Sequence, residues 1–211
     1  MIVMPSNNCG FDCGLLFGRF PGRLAHLHNP DRLAEPKSGV PWALDNGVFG
    51  AWTSGKPWDE QPFYAFLERY HIFKPTFTVV PDVITNREET LASWKIHAPT
   101  ISLFKTPLAI AVQDGMKPCD LDNLEPAPDV VFIGGSTSWK WRNLSMWTKN
   151  FKRVHVGRVN SEQSLWAAHD SGAESCDGTG FFRGGPERLK PLINYLEHST
   201  AGGRPQEELC I

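Results

Sequence analysis

Short apolar runs that end on a carboxylate, an amide or a glycine pair recur along this chain, and segments of helical spacing separate them. The runs are Ile2 to Pro5, Trp42 to Leu44, Phe77 to Val80, Pro107 to Val112, Asp129 to Ile133, Val154 to Val156 and Ala173 to Cys176. Most of their positions are apolar, without the regular polar alternation of a half-exposed strand, as is expected when both faces are covered, although Thr78, His155, Glu174 and Ser175 interrupt the pattern. Between them, Phe63, Phe66, Leu67 and Tyr70 repeat at helical spacing, and Arg87–His97 carries Leu91 and Trp94 behind a cap at Thr85 or Asn86. Trp139–Phe151, Glu162–Ser171 behind Ser161, and Pro186–Glu197 read as further helices, with a weaker helical segment at Asp120–Leu124. Leu15–Phe17 and Arg23–Leu27 suggest a first helix, although Pro21 and Gly22 interrupt it.

Repeated strand, loop and helix means parallel strands joined by crossover helices. The repeat count favours closure, so the fold class expected is α/β, a single compact TIM-type (β/α)8 barrel over residues 1–198, with a loose tail at 199–211. Polar groups then collect at one end. After the runs come Asp45-Asn46-Gly47, Pro81-Asp82, Gln113-Asp114-Gly115, Gly134-Gly135, Gly157-Arg158-Val159-Asn160 and Asp177-Gly178-Thr179-Gly180. In such barrels the carboxyl ends of the strands form the active-site face, and stability alone does not require polar side chains there. Any one Asp before Gly is also an ordinary turn residue. Arg158 and Asn160 sit on that face by the same logic, with Arg183 a weaker candidate; His155 is expected in the barrel wall.

With 211 residues, the chain reaches the lower end of the size range of these barrels. Its 41% hydrophobic and 21% charged residues suit a folded globular protein. No apolar run approaches bilayer length and Met1–Met4 is too short for a signal-peptide core, so a cytoplasmic location is expected. A net charge of -2 argues against coating nucleic acid by charge alone. Lys140, Arg142, Lys149, Lys152, Arg153 and Arg158 still form a basic stretch, either a phosphate-binding surface or solvated helix faces. The cysteines at 9, 13, 119, 176 and 210 are odd in number, and no second pair follows Cys9 and Cys13 at zinc spacing, so neither a disulfide framework nor a metal is expected. No Gly-x-Gly-x-x-Gly follows the first strand and no Gly-Lys-Ser/Thr loop occurs, so no nucleotide cofactor is expected.

Taken in order, Asp45-Asn-Gly-Val-Phe49, Pro81-Asp82, Val112-Gln113-Asp-Gly115, Ile133-Gly134-Gly135, Val156-Gly157-Arg158 and Ser175-Cys-Asp177 resemble the tRNA-guanine transglycosylase superfamily. The likeness runs from about residue 42 to 184 and is nearest to the short members that insert 7-deazaguanines into DNA in phages and genomic islands. It implies that Asp177 is the nucleophile and that Asp45 moves a proton at the reacting base. It implies further that Phe49 stacks on that base, that Asp82 and Gln113 hydrogen-bond its edge, and that the Gly134-Gly135 backbone lies against it. The tRNA enzymes carry a Cys-x-Cys-x-x-Cys and His zinc site near their C-terminus, and this chain shows none, which points to DNA over tRNA and to no cofactor. The partners implied are DNA, a 7-deazaguanine base such as a preQ0-type precursor, and a second copy in a homodimer. Asn46 and Val48 stand where the family has Ser and Gly, which leaves the base open. Two other readings compete: an N-glycoside hydrolase on the same site, and a catalytically silent barrel that binds nucleic acid.

Overall fold

The structure is a computed structural model, and it describes residues 1–6, 11–31, 34–183, 186–201 and 203. Eight parallel strands form one sheet: β1 (Ile2–Met4), β2 (His26–His28), β3 (Trp42–Leu44), β4 (Thr78–Val79), β5 (Leu108–Val112), β6 (Val130–Ile133), β7 (Val154–Val156) and β8 (Ser175–Asp177). Each strand pairs with its sequence neighbour from β2 through β8, and β8 pairs with β1. Single bridges Val3–Leu24 and Ser6–Leu27 join β1 to the β2 edge, where the Leu27 amide donates to the Pro5 carbonyl at 3.0 Å. The sheet thus closes into the expected TIM-type α/β barrel. Around it lie α1 (Phe11–Arg19), α2 (Val48–Thr53), α3 (Glu60–Tyr70), α4 (Arg87–Ser102), α5 (Thr137–Asn150), α6 (Glu162–Asp170) and α7 (Lys190–Ala201). No helix among the described residues is long and apolar enough to cross a membrane.

Because side chains alternate across a strand, the barrel has two cores. Inside, Met4, Leu27, Val79 and Val130 pack with Phe77 and Phe132, and Ala25, Ala43, Ala109 and Ala111 leave room for the two rings. Outside, Leu44, Ile110, Val112, Val131, Ile133 and Val156 meet Phe63, Leu67, Trp94, Trp147 and Leu165 from the helices. Trp94 is 1% exposed and Trp147 0%. Truncating either to Ala costs about 3–5 kcal/mol in such a setting. Helix starts follow local chemistry: Asn86 caps α4 by accepting from the Glu89 amide, Ser136 caps α5, and Ser161 caps α6.

Two expectations need correction. Arg23–Leu27 is not helical: α1 ends at Arg19, Gly22 takes a φ of 75°, and the chain enters β2. His26 packs on Phe17, and His28 packs on Trp42 and Phe66, which holds a His-Leu-His segment of little intrinsic strand signal as a buried strand. At the other end, Ser199 and Thr200 belong to α7 and accept hydrogen bonds from Arg23 at 2.7 and 2.9 Å, so ordered structure runs past 198. Residues 202 and 204–211 of the expected tail lie outside the described residues.

Candidate active site at the barrel mouth

One cavity opens at the carboxyl ends of the strands, and it brings together residues from β2 through β8. Its floor is apolar, from Leu27, Val79, Ala111 and Phe132, and its upper wall holds Asp45, Asn46, Phe49, Asp82, Ile84, Gln113, Gly134, Gly135, Arg158 and Asp177. Its volume is about 100 Å³. A cavity of about 150 Å³ accommodates benzene, so this space with its open mouth suits one flat ring system and not a dinucleotide.

Asp177 ends β8 with its side chain 16% exposed. Its Oδ1 accepts from the Arg158 backbone amide at 3.2 Å and lies 3.2 Å from His155 Nε2, while its carbonyl accepts from the Val159 amide at 2.6 Å. Among the described residues no hydrogen bond occupies Oδ2, which leaves that oxygen for a ligand. His155 is wholly buried inside the barrel, stacked on Phe132 at 4.6 Å, with Nδ1 2.8 Å from Ser175 Oγ. It therefore fixes the Asp177 carboxylate from below. Sequence reasoning placed it only in the wall, because a strand covered on both faces gives no sign of which face is the lumen.

Asp45 follows β3 directly, half-buried, with Oδ1 accepting from the Asn46 amide at 2.9 Å. Burial pushes its carboxyl up to about 7, and the neighbouring Asp177 and Asp82 add to the rise, against the Asn46 and Gly47 amides. Asp82 is 8% exposed, and burial lifts it to about 6. Both its oxygens are held: Oδ1 by Asn46 Nδ2 at 2.8 Å and Oδ2 by Gln113 Nε2 at 2.6 Å. Gln113 is itself oriented, since its Oε1 accepts from the Thr85 and Gly135 amides at 2.9 and 3.2 Å. Gln113 lines the cavity, and among the described residues its second Nε2 hydrogen has no acceptor. Asn46, which also donates to the Val80 carbonyl, is thus a supporting residue that the sequence reading did not assign to the site.

The glycine pair is required by space. A Cβ on Gly134 would stand 2.8 Å from Gln113 Nε2, and one on Gly135, at φ 63°, would stand 2.7 Å from Asp114 Oδ2. Asp114 fixes the turn that follows, accepting from the Ser136 amide at 2.6 Å and the Ser136 hydroxyl at 2.5 Å. Above the glycines, the Arg158 guanidinium reaches from the Gly135 carbonyl, to which it donates, to the Phe49 ring 4.6 Å below its Cζ. Phe49 sits on α2 and continues outward to Trp52, with ring centroids 5.9 Å apart; Trp52 is 57% exposed.

Eight of the expected site residues meet in this way: Asp177, Asp45, Phe49, Asp82, Gln113, Gly134, Gly135 and Arg158. Asn160 does not line the cavity. It is exposed, and its Oδ1 accepts from the Gly180 amide at 2.7 Å, bracing the Gly178–Gly180 turn against the β7 loop. Arg183 is exposed beyond the following 3-10 turn.

The basic stretch does not form one surface. Lys140 is buried, and Arg142 donates to its own helix at the Ser138 carbonyl. Arg153 pairs with Glu174 and donates to the Thr76 carbonyl at the amino ends of the strands, away from the mouth. Among the described residues no group of three or more His, Cys, Asp or Glu is placed to hold a metal ion. Cys9 and the Cys13 side chain lie outside the described residues.

A carboxylate with one free oxygen thus faces a second carboxyl poised to gain or lose a proton near neutrality, across a slot with one stacking ring and a polar edge. That is the equipment for nucleophilic displacement at a carbon that bears a flat leaving group. The chain matches no protein-family profile and shows no significant match to any curated protein.

Proposed function

We propose that this barrel is a guanine transglycosylase that exchanges guanine in DNA for a 7-deazaguanine base. In the first half-reaction Asp177 Oδ2 attacks C1′ of the nucleotide while the C1′–N9 bond breaks, and Asp45 in its acid form supplies the proton that the departing guanine takes. The carboxylate stabilises positive charge on the sugar and then becomes the covalent ester. In the second half-reaction the incoming base gives a proton to Asp45, its nitrogen attacks C1′, and Asp177 is released. Two inversions restore the original anomeric configuration. Asp45 changes protonation state between the halves, which suits a carboxyl near 7.

The base stacks on Phe49, with the Arg158 guanidinium yielding that place. Asp82, its geometry set by Asn46 and Gln113, accepts from N1–H and the 2-amino group of guanine, and the remaining Gln113 amide hydrogen donates to O6. Adenine inverts these donors and acceptors, and each buried polar group left unpaired costs about 1–3 kcal/mol. A target in duplex DNA leaves the stack to reach a cavity at a barrel mouth.

The observation that carries this reading is the convergence of Asp177, Asp45 and Asp82 on one cavity of ring-system size. The resemblance of the strand-end series to the transglycosylase superfamily supports it further. Incubation with DNA and radiolabelled guanine tests it. Label entering the DNA with the strand intact, and lost in Asp177→Asn, is expected. Net release of guanine to leave abasic sites makes the protein a hydrolase, and DNA binding without either reaction makes it a silent barrel; both results sink the proposal.

A further inference from the structure

Lys140 is the least expected charge in the molecule. It is 1% exposed, near the amino-terminal end of α5, where the helix dipole disfavours a cation. Among the described residues no carboxylate is in ion-pair contact with its ammonium. A leucine or methionine would fill the same volume without the desolvation cost. The ammonium donates to one backbone oxygen, the Gly157 carbonyl, and stands 5.3 Å from the centre of the Trp141 ring.

That carbonyl belongs to the peptide unit whose N–H is the Arg158 amide, and the same N–H donates to Asp177 Oδ1 at 3.2 Å. Ammonium, carbonyl, amide and carboxylate therefore stand in series through a single planar peptide. Arg158 adopts a φ of 59°, a left-handed conformation uncommon for a non-glycine residue, and this presents the peptide to both partners. The unit has no freedom to drift: a Cβ on Gly157 would stand 2.8 Å from the Phe132 ring, and the Gly157 amide donates to the Ile133 carbonyl at 3.1 Å.

We propose that Lys140 is a positioning residue for Asp177, acting through the Gly157–Arg158 peptide. A positive charge on the carbonyl side polarises the peptide and makes its N–H a stronger donor, as bonds in series reinforce one another where water is excluded. The carboxylate thereby gains support at Oδ1 from a cation that cannot itself occupy the cavity or block Oδ2. Asp177 keeps a free oxygen, which a direct lysine ion pair would put at risk. The relay is a matter of geometry; its effect on rate rests on the base-exchange reading.

The test uses protein labelled with 15N-arginine, the Arg158 resonance being identified by its absence in Arg158→Lys. In Lys140→Met the Arg158 amide proton moves upfield, single-turnover formation of the covalent DNA complex slows about tenfold, and DNA affinity is unchanged. If Lys140→Met fails to fold, Lys140→Gln serves, since it removes the charge while keeping a polar end at the buried position, and the same upfield shift of the Arg158 amide proton is expected. An Arg158 amide that does not move in the folded variant overturns the relay, whatever happens to activity. A slowed reaction with weakened DNA binding and an unmoved amide assigns Lys140 a packing role and overturns it too. A shifted amide in a protein that exchanges no base leaves the relay standing and removes the transglycosylase reading.

Discussion

Replacing Asp45 with Asn isolates what the site costs the fold. The substitution is nearly isosteric, and the Asn oxygen still accepts from the Asn46 amide that bonds Asp45 Oδ1 at 2.9 Å. What changes is charge. The Asp45 carboxyl stands at about 7 in the folded protein against an ordinary 3.8. Between those values the unfolded chain has released the proton and the folded one holds it. Below the lower value the group does not affect stability. As pH rises through the window stability falls, and above about 7 the loss is complete. One pKa unit is worth about 1.4 kcal/mol, so a rise of roughly three units corresponds to about 4 kcal/mol. Asp45 keeps partial contact with water, which reduces the figure to about 2 kcal/mol. Asp45→Asn therefore unfolds about 4–8 °C higher than the parent at pH 8, given about 2–4 °C per kcal/mol for a domain of this length, and at the same temperature at about pH 3, below both values. Thermal unfolding of both proteins from about pH 3 to about pH 8.5 measures this, since titrations common to both cancel in the difference. Because Asp177 contributes to the rise, the gain shrinks in an Asp177→Asn background. A difference independent of pH, or a variant less stable at pH 8, refutes the electrostatic account of the site.

Gly134→Ala drives a methyl into Gln113 Nε2, displaces the donor that holds Asp82, and lowers guanine affinity at least tenfold by isothermal titration; an affinity unchanged from the parent would show that Gln113 does not orient the base-reading edge. Phe49→Ala removes the stacking ring and weakens base binding by about 1–3 kcal/mol with little change in unfolding temperature, because the ring is partly exposed at the mouth. Equal binding by Phe49→Ala would move the base elsewhere in the cavity.

The fold was readable because parallel strands buried on both faces are apolar throughout, and the runs at 42–44, 108–112 and 130–133 carry that signature undiluted. β2 was not readable. His-Leu-His lacks it, Leu24 and Leu27 sit at helical spacing, and only the rings of Phe17, Trp42 and Phe66 make the segment a strand. The convergence of Asp45, Asp82 and Asp177 was legible for a topological reason: residues that end parallel strands share one face of a barrel whatever the register. What lies beneath them depends on register and packing. His155 reaches Asp177 because β7 and β8 pair His155 with Ser175, and Lys140 is buried because the start of α5 packs under the Gly157 loop. Neither follows from residue type, and a lysine beside Arg142 reads in sequence as surface. Asn160 differs in another way: it follows a strand end, yet it does not line the cavity, and its Oδ1 accepts from the Gly180 amide.

The most direct test of the nucleophile is mass spectrometry of protein quenched during reaction with guanine-containing DNA. A covalent DNA adduct that maps to the peptide bearing Asp177, and is missing in Asp177→Asn, is the predicted result. An adduct on another residue, or base exchange by Asp177→Asn at the parent rate, contradicts it.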